Sequence, residues 1–398
     1  MAHSDISSSH VHFRPESKLR AFRIFGPLFL FSSLLLIIGF KFNASRTLFN
    51  YLLAFTFLMS LGLGGLFFSM LHHATGAGWS VVVRRIPESL AHLLPWGFIL
   101  IIPVFFGLDF LYEWSRQEIA HDAILTHKAA YLNDTFFIIR NILYFTIWTL
   151  LYKKIIRTSI AQDHHGAIRT THQLVRWSSA GIVLFAITLT FAAIDWIMSL
   201  KAHWFSTIYG VYYFAGSIVA GLSMTIVILL ILQNKGYLRN VINENHFHDL
   251  GKLLFALNVF WAYIAFSQYM LIWYGNIPEE TIFFSERGHS GWHIVSLAVA
   301  IGHFVIPFFL LMSRHAKRNM KVLFAGALWL LAMHYLDLFW LIMPNFSKNS
   351  VNFGWIEITA IVWMLSLFAL ILVWNFNRYA LIPLKDPRLQ ESLEFHQL

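Results

Sequence analysis

The sequence predicts an all-α integral membrane protein with ten transmembrane helices. Hydrophobic residues make up 58% of the 398-residue chain and charged residues only 12%, whereas an average soluble domain is about 25% charged. Ten separate runs stay apolar over the roughly 17–25 residues that a helix needs to cross a bilayer. The runs are continuously apolar and lack the alternation of barrel strands, so we expect helices.

The predicted helices α1 to α10 follow one another with short connectors. They cover residues 24–40, 48–71, 89–107, 134–152, 174–198, 206–232, 253–274, 290–313, 320–343 and 355–375. A polar leader precedes α1 and no small-residue cleavage site follows it, so we expect a retained span rather than a signal peptide. Residues 24–375 then form one membrane domain between the tails 1–23 and 376–398.

Glycine and proline indicate where individual helices depart from a plain cylinder. In α2, Gly62, Gly64 and Gly65 permit either close helix packing or a break. In α3, Pro95 and Pro103 predict kinks. The predicted close-packing face of α6 carries three glycines, Gly210, Gly216 and Gly221.

The basic residues predict how the chain is oriented. Lys and Arg number 29 against 20 acidic residues. Of the basic residues, 20 belong to the side of the membrane that holds both tails and 7 to the opposite side. Because short cytoplasmic segments are rich in Lys and Arg, both termini are predicted to be cytoplasmic. The net charge of +9 therefore needs no nucleic-acid partner.

The chain contains 20 histidines and no cysteine. Without cysteine it cannot form disulfides, thiolate metal sites, Fe–S clusters or a covalent c-type haem. A haem b between histidines remains an alternative, because His303 and His334 are predicted at similar depth. A Soret band in the purified chain would reveal such a haem.

A few ionisable residues lie at membrane depth, where a charge at a helix centre costs roughly 2.5–3.5 kcal/mol. Most of them fall in the outer half of the membrane or at its midplane. They are Arg140, Asp195, His293, His303, His334, Asp337 and Glu357, with His92 near the inner end of α3.

Each of these residues has a functional and a structural interpretation. His334 and Asp337 are three residues apart and share a helix face, so they form either a proton relay or a structural hydrogen-bonded pair. Asp195 is either a proton site or a helix-end anchor. For Arg140 we favour pairing with a buried acid, and Glu357 is either a proton site or solvated at the interface.

Three long segments resemble one family. They read DWIMSLKAHWFSTIYGVYYFAG (195–216), FWAYIAFSQYMLIWYGNIPEET (260–281) and MHYLDLFWLIMPN (333–345). Together they resemble the second large polytopic subunit (ActF) of alternative complex III, a bacterial quinol:electron-acceptor oxidoreductase. The similarity runs from about residue 20 to 380. Where the family pattern has Asp-Pro, this chain has Lys201-Ala202, which argues against an acidic role in that outer loop.

The resemblance implies an NrfD-like fold. Helices α2–α5 and α6–α9 would form two four-helix bundles, with α1 and α10 at the periphery. Asp195 and Asp337 would then lie near the outer end of the fourth helix of each bundle, each followed closely by a tryptophan.

The resemblance also implies a bacterial inner-membrane complex. Haem c and Fe–S clusters would reside on other subunits, with none on this chain, and quinol oxidation would be assigned to a paralogous ten-helix subunit packed against it. Lipid and a terminal oxidase are further expected partners.

Our hypothesis from the sequence is a non-redox subunit with a proton path opening outward. The proton-path candidates are Asp195, His303, His334, Asp337 and Glu357, whereas Arg140, His203 and Gln268 are expected to be structural polar residues. The alternatives are a stand-alone secondary transporter, which would be active in liposomes without partners, and a purely structural scaffold subunit.

Overall fold

A computed structural model describes residues 11–116 and 122–396, and all regular secondary structure in those ranges is helical. Within these ranges, ten helices are long and apolar enough to cross a membrane, so the protein is a multi-pass membrane protein. The observed bounds of α1 to α10 are Pro15–Phe42, Ala44–Ala74, Val81–Phe105, Asp134–His165, Ile168–Leu200, Tyr209–Asn234, Glu244–Gly275, Trp292–Met312, Met320–Asn345 and Trp355–Phe376.

Most helices extend beyond the apolar runs that predicted them. The helix α1 begins at Pro15, which occupies the first turn where its missing N–H costs nothing. Residues 15–23 of the predicted N-terminal tail are therefore helical, while residues 1–10 lie outside the described chain. At the other end of α1, Asn43 accepts a hydrogen bond from the backbone N–H of Arg46 and caps α2.

The helix α3 differs most from its predicted range, because it begins at Val81 rather than at residue 89. It is also interrupted: an α-helical part, Val81–Leu90, is followed by a 3₁₀ segment, Ala91–Trp96, and two single turns. Pro95 and Pro103 lie in the interrupted part, as expected for residues that lack a backbone N–H.

Helices α2 and α6 occupy the centre of the molecule and pack against each other. Of the most apolar stretch in each, 94% of residues are buried. Gly64 and Gly221 lie at the crossing, where a Cβ on Gly64 would be 2.9 Å from the Cα of Gly221. Since α2 continues as one helix from Ala44 to Ala74, its glycines serve close packing rather than a break.

Contacts between loops define two ends of the molecule. At one end, which we call the terminal face, Leu381 donates to the carbonyl of Val11, and Ser392 donates to the carbonyl of Trp79. At the opposite end, the distal face, Lys201 of the α5–α6 loop binds Glu286 of the α7–α8 loop. The most apolar stretch of α1 is 11% buried, and α1 packs chiefly against α10.

Candidate functional site

Asp195 and Arg140 form a buried ion pair between α5 and α4. Arg140 Nε and Nη2 donate to the two carboxylate oxygens of Asp195 at 2.8 and 2.9 Å. The Tyr144 hydroxyl donates to the same carboxylate at 2.7 Å, and Arg140 Nη1 donates to the carbonyl of Tyr131. A carboxylate held by a bidentate guanidinium and a phenol has its charge compensated and its position set.

Asp337 lies in α9 and has a different environment. Its Oδ1 accepts a hydrogen bond of 2.5 Å from the hydroxyl of Tyr212 in α6. Within the described chain, no Lys, Arg or His lies within ion-pair distance of this carboxylate, although the residue is only 1% exposed. A buried carboxyl group without a cation is the type of group whose protonation state the surroundings control.

His334 and Asp337, three residues apart, hydrogen-bond to different helices and not to each other. The Nε2 of His334 lies 2.9 Å from the hydroxyl of Ser60 in α2, and that hydroxyl donates its proton to the carbonyl of Phe57. Because that proton is given to Phe57, Ser60 accepts from Nε2–H of the imidazole. The other nitrogen, Nδ1, has no partner among the described residues and faces Gly216, where a Cβ would lie 2.9 Å away.

His303 is the second buried imidazole near the centre. Its Nδ1 lies 3.2 Å from the amide oxygen of Asn258, and its ring stacks on Trp261 with centroids 3.7 Å apart. Its Nε2 has no partner in the described chain. His303 also lies in a π-helical segment of α8, Ala300–Val305, a distortion often found at functional positions.

Glu357 is bound on several sides at the start of α10, rather than solvated at an interface. Arg46 donates to its two carboxylate oxygens at 2.9 and 2.7 Å, and Asn50 donates to Oε1 at 2.9 Å. The backbone N–H of Gly354 donates to Oε2. These contacts connect the beginnings of α2 and α10, and the carboxylate is 1% exposed.

His203 belongs to the distal loops and not to the buried cluster. Its Nε2 lies 2.7 Å from the carboxylate of Asp122, and its side chain is 40% exposed. Hydrogen bonds from the backbone N–H of Leu125 and from His203 lower the pKa of the Asp122 carboxyl. His92 is buried near the terminal face, where its Nδ1 lies 3.2 Å from the carbonyl of Glu88 and from the amide nitrogen of Asn375.

The sequence interpretation missed a charged cluster at the terminal face. Glu88 is fully buried and accepts hydrogen bonds from Arg85 at 2.7 Å and from Ser159 at 2.6 Å. Arg85 also binds Asp163, and Arg84 binds Asp386 of the C-terminal segment. The sequence feature that could have revealed this cluster is the spacing of Arg84, Arg85 and Glu88, which lie within about one helical turn. The predicted α3 began at residue 89, so all three residues were placed in a loop.

Arg287 was also missed, because it lies in the loop between α7 and α8. It is 2% exposed, and its guanidinium donates to the carbonyls of Phe283, Trp340 and Leu341 at 2.9–3.0 Å. Burial lowers the pKa of Arg287 to about 10, so it remains charged at neutral pH. No carboxylate lies within ion-pair distance of this guanidinium among the described residues.

A cavity of about 820 Å³ lies between α7, α8 and the α7–α8 loop. Gln268, only 4% exposed, lines it, and the Oε1 of its amide has no partner in the described chain. Tyr212, which binds Asp337, and Trp261, which stacks on His303, also contribute to its wall. The cavity therefore extends from the neighbours of Asp337 and His303 to the α7–α8 loop at the distal face.

The described residues contain no group of three or more His, Cys, Asp or Glu side chains arranged to hold a metal ion. No protein-family model matches the chain, and no curated protein is found to be similar to it.

Proposed function

We propose that this chain is an integral membrane subunit of a respiratory quinol oxidoreductase of the alternative complex III type. In this proposal the chain carries no redox centre, supports a quinol-oxidising paralogue in the bacterial inner membrane, and conducts protons towards the outer side. The proposal starts from the three sequence segments 195–216, 260–281 and 333–345. Asp195, Gln268, His334 and Asp337, which lie in these segments, are all buried.

The observation that carries the proton-conducting role is the contact between Asp337 and Tyr212. Asp337 is a buried acid without a cationic partner in the described chain, and Tyr212 connects it to the cavity that reaches the distal face. His303 and His334 lie nearby, each with one ring nitrogen that has no partner among the described residues. Neutral imidazoles and a carboxyl group are side chains that can accept and release protons in turn.

The geometry narrows the set of proton-path candidates. Asp195 and Glu357 each accept two hydrogen bonds from an arginine, which compensates their charge and favours a structural role. We therefore assign the path to Asp337, Tyr212, His334 and His303. The arginine pairs at Asp195 and Glu357 are the specific observation that favours the second candidate function, a structural scaffold subunit.

The proposed architecture has two four-helix bundles, α2–α5 and α6–α9, with cytoplasmic termini. The central positions of α2 and α6, one from each bundle, support this arrangement. The low burial of α1 supports its peripheral position. The excess of basic residues on the side of the tails, 20 against 7, supports the orientation.

The first experiment is purification of the tagged chain from its native membrane, followed by a haem spectrum and identification of the co-purifying subunits. The proposal expects c-type haem and Fe–S proteins together with a paralogous ten-helix subunit. A chain that purifies alone and transports a solute in liposomes would instead be a secondary transporter.

The second experiment tests the proton path in that complex with Asp337→Asn, which keeps the size of the side chain. We expect slower quinol oxidation or a lower proton-to-electron ratio. Asp109→Asn, the same chemical change at an exposed distal position, is the matched control and should leave both unchanged. Unchanged turnover and an unchanged proton-to-electron ratio in Asp337→Asn would contradict the proton path and favour a structural scaffold role.

A further inference from the structure

The cavity between α7 and α8 has the size and composition of a ligand site. Its volume of about 820 Å³ falls within the range of roughly 300–1,000 Å³ typical of small-molecule pockets. Most of its wall is aromatic or aliphatic, including Trp261, Tyr269, Phe284 and Trp340. A wall of this kind favours a ligand whose larger part is apolar, either a ring system or a hydrocarbon chain.

The cavity opens towards the apolar outer surface of the helices. Phe266, Trp273 and Leu297 line it, and they are 61%, 65% and 60% exposed. These side chains belong to helices that are long and apolar enough to span a membrane, so their outward faces are expected to meet lipid. A ligand can therefore enter laterally from the bilayer.

Two polar groups in the wall are of interest, one because it lacks a hydrogen-bond partner and the other because its charge lacks a counter-ion in the described chain. The buried amide of Gln268 has an oxygen without a partner in the described chain, and an amide offers both a donor and an acceptor. Such an amide costs free energy unless it is hydrogen-bonded. The guanidinium of Arg287 donates to three backbone carbonyls, but no carboxylate in the described chain lies within ion-pair distance of its charge. The neighbouring Glu286 is bound instead by Lys201 and Lys348.

We infer that this cavity binds a lipid-soluble molecule with an oxygen-bearing head group, which hydrogen-bonds to Gln268 beside Arg287 while its apolar body lies along the aromatic wall. The amide accepts from a hydroxyl or donates to a carbonyl or phosphoryl oxygen, and the guanidinium favours an electron-rich head. This inference goes beyond the proposed function, because binding requires no proton transfer through Asp337.

Two sources in a membrane supply this chemistry, a glycerophospholipid and an isoprenoid quinone. The test uses the full chain in its native complex, or alone if it purifies alone, reconstituted in phosphatidylglycerol nanodiscs. One arm uses a diazirine-labelled phosphatidylglycerol and the other an azido-substituted isoprenoid quinone. After illumination, mass spectrometry measures labelling of peptides within 261–304. Specific labelling by one probe identifies the source.

Gln268→Leu removes the amide at similar volume and should reduce labelling on the order of tenfold, the effect of losing a hydrogen bond to a buried group. Gln173→Leu makes the same change at an exposed position outside the cavity and is the matched control. Ala265→Phe fills the cavity and should also abolish labelling.

The inference is overturned if labelling is equal in the Gln268 and Gln173 variants, or if it follows helix exposure across the whole surface. Thermal unfolding of each variant verifies that the fold is retained. The readout is labelling of this chain, so a failure of the ligand-binding inference is distinguishable from a failure to find complex III subunits.

Discussion

Asp195 and Asp337 lie near the distal ends of α5 and α9, and they differ in their partners. Asp195 accepts two hydrogen bonds from Arg140 at 2.8 and 2.9 Å. Asp337 accepts a hydrogen bond from a neutral hydroxyl, that of Tyr212. The first carboxylate is compensated by a positive charge, and the second is not compensated by any cation in the described chain. This difference separates a structural acid from a candidate proton carrier.

Removing Arg140 should be more damaging than removing the whole ion pair. Arg140→Met leaves the carboxylate of Asp195 buried without its cation, which costs about 3–5 kcal/mol. The double variant Arg140→Met/Asp195→Leu should recover most of that loss, because no charge remains buried. Thermal unfolding in detergent ranks the stabilities of the wild type, the single variant and the double variant. A double variant that is less stable than Arg140→Met would show that the pair contributes net stability.

The sequence identified Arg140 and Asp195 separately, and the structure shows why it could not join them. Both are charged residues at membrane depth, so each required a compensating partner. Which partner it meets depends on how α4 and α5 are rotated and shifted against each other. Helix periodicity defines faces within one helix but not the register between two helices.

The same limit explains His334 and Asp337. Their spacing of three residues placed them on one face of α9, yet their hydrogen-bond partners, Ser60 and Tyr212, come from α2 and α6. Glu88 was missed for a different reason. An apolar-run criterion ends a span at the first charges, whereas Arg85 lets α3 continue by binding that carboxylate.

Gly64 tests the crossing of α2 and α6. Gly64→Ala places a Cβ 2.9 Å from the Cα of Gly221, so one helix must move, and we expect a destabilisation of about 1–3 kcal/mol. Gly26→Ala is the matched control in α1, since a Cβ there meets nothing within 4 Å. That substitution should be neutral or stabilising, because alanine favours helix more than glycine does. Equal stability of the two variants would contradict the close crossing.

Protonation of Glu286 should lower the free energy of unfolding as the pH falls. Burial alone would raise the pKa of this carboxyl, but hydrogen bonds from Lys201 and Lys348 outweigh it and hold the pKa below the ordinary value of 4.5. A carboxyl with a lowered pKa stabilises the folded state above its ordinary pKa, and the contribution is lost as pH falls through the folded value. Unfolding measured from pH 6 to pH 3 should show this loss in the wild type, beginning near the ordinary pKa of 4.5 and continuing below it.

The variant Glu286→Gln should be less stable than the wild type at pH 6 and should lose less stability on acidification. Glu279→Gln, in the same distal loop but exposed, is the control and should follow the wild-type curve. An unchanged acid dependence in Glu286→Gln would assign the loss of stability to other carboxyl groups.

Arg287 should stabilise the distal end of α9 through its geometry as well as its charge. Its guanidinium donates to the carbonyls of Trp340 and Leu341, near the end of that helix, where a cation interacts favourably with the helix dipole. Arg287→Met leaves these buried carbonyls without donors, at a cost on the order of 1–3 kcal/mol.

Arg287→Lys should recover only part of the stability, because an ammonium group cannot reproduce the planar fork that reaches three carbonyls. Arg116→Met, at an exposed distal arginine, should change the unfolding temperature little. If lysine at position 287 restores wild-type stability, charge alone accounts for the role of Arg287 and its fixed hydrogen-bond geometry does not.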